Sequence, residues 1–270
     1  MIGNIHLLQS LKGVWVKLLL LCLGLFAFEM LFSILGTSTQ IYQGILKDMN
    51  DIPPIVEKMM GKGFVEAIVK YGIIAIAHMH PIMMLLFILF IFIAVSQVVT
   101  SEVAGGAIGF TLSRPVSRIR IYINLTIVIY VGLGSQALLT YLSSAAGITL
   151  LHSERLSTGP FAALAWNLFL LMVFIAGYVA IFAAISDSGK MLFTYGGITL
   201  MVFYILNTAT PLWQPLKYLS PINPFSYYNP MAIFVGGRVS VGTSISLIAV
   251  SLAMFAVGGW IFSRRDIAAG

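Results

Sequence analysis

Long apolar runs alternate along the chain with short polar punctuation, and the runs have the length of a bilayer crossing. They cover residues 18–35, 81–100, 122–151, 161–185, 191–209 and 242–262. Each is near or above the roughly 20 residues a helix needs to span about 30 Å of hydrocarbon. Most are apolar all round, without the one-sided stripe of a soluble helix. The pattern predicts an all-α integral membrane protein of six transmembrane helices, a single transmembrane domain over residues 1–270.

The segments between the runs carry their own pattern. Before the first span, Ile5, Leu8 and Leu11 alternate with His6, Gln9, Ser10 and Lys12, which predicts an interfacial helix over residues 2–14. Trp15 and Lys17 then mark the headgroup level. The longest non-spanning segment, residues 36–80, balances Lys47, Lys58, Lys62 and Lys70 with Asp48, Asp51, Glu57 and Glu66. Asp51 followed by Pro53 and Pro54 reads as a helix start, so short amphipathic helices are expected on the outer face before span two. Residues 212–241 are too broken by proline for a span and too apolar for a free loop. Short helices dipping into the outer leaflet, rimmed by Trp213, Tyr218, Tyr227 and Tyr228, are expected there before span six.

Composition narrows the class. Only 9% of the 270 residues are charged and mean hydropathy is +0.99, against about a quarter charged in soluble domains. Six spans leave no room for a sizeable soluble domain. The net charge of +6 is dispersed between spans, which suits anionic headgroups and argues against nucleic acid. Cys22 is the single cysteine, so no intrachain disulfide forms. Lys12 and Lys17 ahead of an apolar run resemble a signal peptide, but the run is long and lacks an A-x-A-like end, so it reads as a retained anchor. An even number of spans puts both termini on one side, together with Lys12, Lys17, Arg114, Arg118, Arg120, Lys190, Arg264 and Arg265. The positive residues outside the long acid-balanced loop favour cytoplasmic termini in an inner (plasma) membrane.

Candidate chemistry is sparse. Glu29 interrupts the first span at a cost of a few kcal/mol and needs a partner. It lines a pathway or titrates, or it hydrogen-bonds a neighbouring helix. Gln136 and Asn207, with Asn124 and Thr140, are the other polar candidates for a pathway, and such residues also serve as interhelical bonds. His78-Met79-His80 offers imidazole and thioether, but alternate residues diverge on a helix and no second ligand cluster follows. They read as boundary histidines, and no metal is expected. Ser188-Gly189-Lys190 is followed by Met191 and lacks the earlier glycine of a phosphate-binding loop; no H-E-x-x-H or serine–histidine–acid set occurs. No catalytic or cofactor-binding residue is assigned, and the chain is not expected to be an enzyme.

Ser101–Ile121 stands apart. Arg114, Arg118 and Arg120 would each cost roughly 2.5–3.5 kcal/mol in hydrocarbon, so the block lies outside the bilayer. Glu102, Gly106 and then Leu112-Ser113-Arg114-Pro115-Val116-Ser117-Arg118 resemble the signature between spans two and three of permease subunits of ABC transporters of the second type, the type V exporter fold. Those subunits carry a threonine where Ala107 stands. Ser220-Pro221, Tyr228-Asn229-Pro230 and the ending Phe262-Ser263-Arg264-Arg265-Asp266-Ile267 are similar to the same family. The resemblance implies a cytoplasmic coupling helix, with Glu102, Gly106, Arg114, Pro115, Ser117 and Arg118 docking a separate ABC ATPase that binds ATP and Mg²⁺. It also implies pairing with a second permease copy or a homologous permease in an exporter. The apolar span walls suit a hydrophobic, amphipathic or peptide-like cargo. The alternatives are an ion-driven carrier or channel and a non-transporting membrane assembly subunit.

Overall fold

A computed structural model describes residues 2–37, 47, 64–71, 73–100, 117–151, 157–236 and 238–265. The expected helix start at Asp51, Pro53 and Pro54 lies outside the described residues, as do Glu102, Gly106, Arg114 and Pro115 of the coupling block.

The described chain is helical, with no strand among these residues. Helix α1 (Ile2–Thr37) runs without a break, so the expected interfacial helix and the first span are one rod. Nothing between them is strong enough to end a helix. Gly3 and Gly13 each cost about 1 kcal/mol, and no proline intervenes. Its 36 residues extend about 54 Å at 1.5 Å per residue, well beyond the hydrocarbon thickness, so one end must project from it.

Two short helices, α2 (Phe64–Tyr71) and α3 (Ile74–Met79), precede α4 (Pro81–Val95). His80 is extended and Pro81 opens α4, where its missing N–H costs nothing; Nδ1 of His80 accepts from the Ile82 amide at 3.3 Å. A π-helical turn, Ser96–Thr100, ends this helix. The third long helix, α5 (Arg118–Leu151), begins before the expected Tyr122, with Ser117 Oγ accepting from the Arg120 amide at 3.4 Å. After α6 (Gly159–Ile185), Ser188 caps α7 (Gly189–Ala209) by accepting from Met191 N at 3.2 Å. Two 3₁₀ segments (Gln214–Leu219 and Pro224–Tyr227) and α8 (Pro230–Phe234) form the broken stretch before α9 (Val241–Arg264), which Ser240 caps.

Among the described residues six helices are long and apolar enough to cross a membrane: Lys12–Gly36, Pro81–Val99, Arg118–Leu150, Gly159–Ile185, Gly189–Ala209 and Val241–Arg264. This is the architecture of a multi-pass membrane protein. α6 is the central rod, buried along most of its length and packed mainly on α9 and α5, while α1 lies on α5 and α4. α7 sits at the edge and leaves Ile198, Met201, Val202 and Ile205 exposed, a surface suited to lipid.

Lipid tails are as apolar as leucine, so close backbone approach and interhelical hydrogen bonds hold such a bundle together. Tyr122 Oη donates to Ala180 O at 3.0 Å, and Ser251 Oγ donates to Val173 O at 2.5 Å. Gly258 admits that contact, since a Cβ there would meet Tyr122 at 2.9 Å and Ala180 O at 3.1 Å. At Gly132 a Cβ would fall 2.0 Å from the ring of Phe90, which is fully buried. Gly132→Ala is therefore expected to destabilise the protein by about 1–3 kcal/mol. A lower thermal midpoint in detergent, restored by adding Phe90→Leu, would check it.

Cross-contacts fix which helix ends lie together. Lys17 Nζ donates to Gln97 Oε1 at 2.6 Å, and Arg118 bonds the carbonyl of Arg265. Gly147 lies against Ser33, and Tyr228 reaches His78. The start of α5 and the end of α9 thus share one end of the bundle, and α2, α3 and α8 cap the other.

Candidate functional site

At the capped end, a polar cluster forms where α1, α3 and α5 meet. Glu29 is fully buried, one turn below Ser33, whose hydroxyl donates to the Glu29 carbonyl at 2.9 Å. Ser144 Oγ of α5 lies 3.0 Å from Glu29 Oε2, 3.0 Å from Thr140 O and 3.5 Å from His78 Nε2. A hydroxyl carries one proton, so Ser144 donates to only one of these at a time. The carboxylate is the stronger acceptor. Glu29 Oε1 faces His78 Nε2 at 3.7 Å, beyond hydrogen-bond reach, and has no hydrogen-bond partner among the described residues.

His78 is 1% exposed. Its Nδ1 lies 3.3 Å from Ile74 O; a carbonyl only accepts, so Nδ1 carries hydrogen and Nε2 is the nitrogen turned toward Glu29 and Ser144. Phe161 and Phe234 meet the ring edge-on at 5.3 and 6.0 Å. Tyr228 Oη donates to His78 O at 2.7 Å. Burial, with the Glu29 charge adding to it, holds the Tyr228 phenol far above its ordinary range, so it remains a donor.

Hydrogen bonds from the long helices pin the stretch that carries Tyr228. Asn167 of α6 donates to Tyr227 O at 2.8 Å and accepts from Asn229 N at 3.2 Å. Tyr178 Oη donates to Ile222 O at 2.6 Å, and Asn223 donates to Phe203 O at 2.8 Å. Trp213 and Tyr218 are exposed as a rim requires, but Tyr228 turns inward and is buried. The sequence reading of Tyr228 as a rim residue is therefore corrected.

The opposite end carries a cationic strap. Arg118, in the first turn of α5, donates to the Arg265 carbonyl. The Arg265 guanidinium donates to Ala184 O at 3.3 Å and Ser186 O at 2.8 Å, and pairs with Asp187. One arginine thus ties the end of α9 to the α6–α7 turn, and a second ties the start of α5 to the first. Arg264 lies 4.5 Å over the Trp260 ring.

Between α4 and α7 runs an apolar groove of about 420 Å³, lined by Met84, Ile88, Phe92, Phe193, Leu200 and Tyr204. A second groove, of about 400 Å³, lies between α5 and α9 beside Trp260.

The expected site residues separate accordingly. Glu29 and Gln136 both lie in the buried interior; Gln136 and Ser144 sit two turns apart on α5, and Gln136 Nε2 donates to Leu86 O at 3.5 Å. Asn207 is half-buried near the end of α7, on a different seam. Ser117 is exposed, and Arg118 is partly buried in the strap. His78 and His80 diverge, His80 packing on Phe28 and Phe32. Among the described residues no three His, Cys, Asp or Glu side chains converge to hold a metal. Compared with known proteins, the chain matches no family model and no curated protein.

Proposed function

We propose that this protein is the membrane-spanning subunit of an ATP-driven transporter, moved by a separate ATPase that docks on residues 101–121. The observation that carries this reading is the strap. The basic block enters from the π-helical turn of α4 and leaves into the first turn of α5, where Arg118 joins Arg265 and, through it, the α6–α7 turn. A push on the block therefore acts on five long helices together, α4, α5, α6, α7 and α9, as a lever requires. π-helical turns are rare and frequently sit at functional sites. The apolar groove between α4 and α7 suits a hydrophobic or amphipathic cargo entering from the bilayer. In this reading both termini and the strap face the cytoplasm of an inner membrane, the capped end faces out, and two permeases pair for export.

The test is purification. Extracted in mild detergent through a C-terminal tag, the protein is expected to retain a Walker-type ATPase in stoichiometric amount, and Arg114→Glu is expected to release it without changing the thermal midpoint. A monodisperse, transport-active protein without an ATPase would overturn the reading.

A further inference from the structure

The buried cluster is not needed for docking or for a lever, yet it places a carboxylate, an imidazole and an unsatisfied oxygen where charge is most costly. We propose that Glu29 and His78 form a single-proton site that latches α1 to α3, and through Ser144 and Tyr228 to α5 and the segment before α8. The bound ligand is H⁺, and the proposal stands whether or not the protein is driven by ATP.

Nδ1 of His78 is committed to Ile74 O, so Nε2 is the atom that gains or loses a proton, and Glu29 Oε1 is the atom facing it. With one proton between them the site is neutral, either as carboxylic acid and imidazole or as carboxylate and imidazolium. With two it holds an uncompensated cation, and with none an uncompensated anion. An unpaired charge in this setting is strongly unfavourable. The Oε1–Nε2 separation of 3.7 Å closes to a hydrogen bond by a movement of under about 1 Å, small enough for the short helix α3 to make.

Among the described residues, the other groups facing the pair do not compensate it. From α5 come Ser144 and Thr140, which do not titrate in the working range. From α6 comes Phe161, and from α8 Phe234. Tyr228 stays protonated, and Tyr71 of α2 packs its ring on Phe161 and Phe234. His80 turns to Phe28 and Phe32. Glu66 and Lys70 of α2 are exposed.

The consequence is a latch with two limbs. In nanodiscs the thermal midpoint of the wild type is expected to peak at intermediate pH and fall on both sides. Glu29→Gln removes the anion, so the alkaline fall is lost and the acid fall stays. His78→Gln removes the cation, so the acid fall is lost and the alkaline fall stays. Ser144→Ala keeps both titrating groups, so it lowers the curve and retains both limbs. Difference curves against the wild type remove the contribution of other titrating groups. Infrared difference spectra give a second readout: a carboxyl C=O band that titrates in the wild type and disappears in Glu29→Gln. Opposite limbs in the two glutamine variants establish the site. A uniform drop at every pH, or loss of the same limb in both, would show that the pair is only a structural contact and overturn the proposal.

Discussion

His78→Ala is expected to destabilise the protein by about 3–5 kcal/mol, the usual cost of removing one partner of a buried pair. Glu29 has no other charged neighbour at ion-pair distance among the described residues, so its carboxylate would be left facing a cavity. The substitution also removes the edge-on ring contacts with Phe161 and Phe234. Much of the loss should be recovered in Glu29→Gln/His78→Ala, because the stranded charge is gone while the cavity remains. Thermal or denaturant midpoints of the two single variants and the double variant complete the cycle. Strictly additive losses would mean that the 3.7 Å approach of Oε1 and Nε2 carries no interaction.

Arg265→Ala is expected to have the next largest effect, and it separates stability from coupling. The guanidinium satisfies Ala184 O and Ser186 O at the end of α6; leaving a buried carbonyl unpaired costs about 1–3 kcal/mol each. The exposed pair with Asp187 adds little. The Arg118 bond goes to a backbone carbonyl and is available in the variant. If the strap carries the push of the ATPase, transport falls on the order of tenfold while ATP hydrolysis continues, within the usual 1–3 kcal/mol of a coupling energy. Arg265→Lys should recover only part, since a point charge cannot reach three acceptors as a planar fork does. Transport and hydrolysis assayed together check this; an equal fall in both would assign the strap to folding alone.

The six membrane-length helices were legible because a bilayer imposes a length that few other environments demand. Some of their starts were nearly as clear, with Pro81 opening α4 and Ser188 and Ser240 capping α7 and α9 within a few residues of the expected spans, whereas α1 and α5 begin earlier than expected. The need of Glu29 for a partner was also legible, but its partner was not. His78 belongs to a pair of histidines that read as boundary residues. Only the tuck of α3 against α1 buries one of them and leaves the other on Phe28 and Phe32. Tyr227 and Tyr228 looked alike for a similar reason. In the extended step before α8 adjacent side chains part, so Tyr227 bonds Pro221 O while Tyr228 bonds His78 O. Ser144 had a faint signal, repeating Gln136 and Thr140 at helical spacing on one face of α5. Arg265 read as part of a charged ending because its acceptors lie on a turn distant in sequence.

The most direct measurement is the separation of α4 and α7 across their groove. Leu85 and Met201 line it and are 51% and 64% exposed, so after Cys22→Ala both accept spin labels as cysteines. In a complex with the ATPase proposed to dock on residues 101–121, adding ATP and a phosphate mimic that traps hydrolysis should change the distance between the labels, and Arg114→Glu should abolish the change. An unchanged distance while the wild-type complex hydrolyses ATP would contradict an ATP-driven permease.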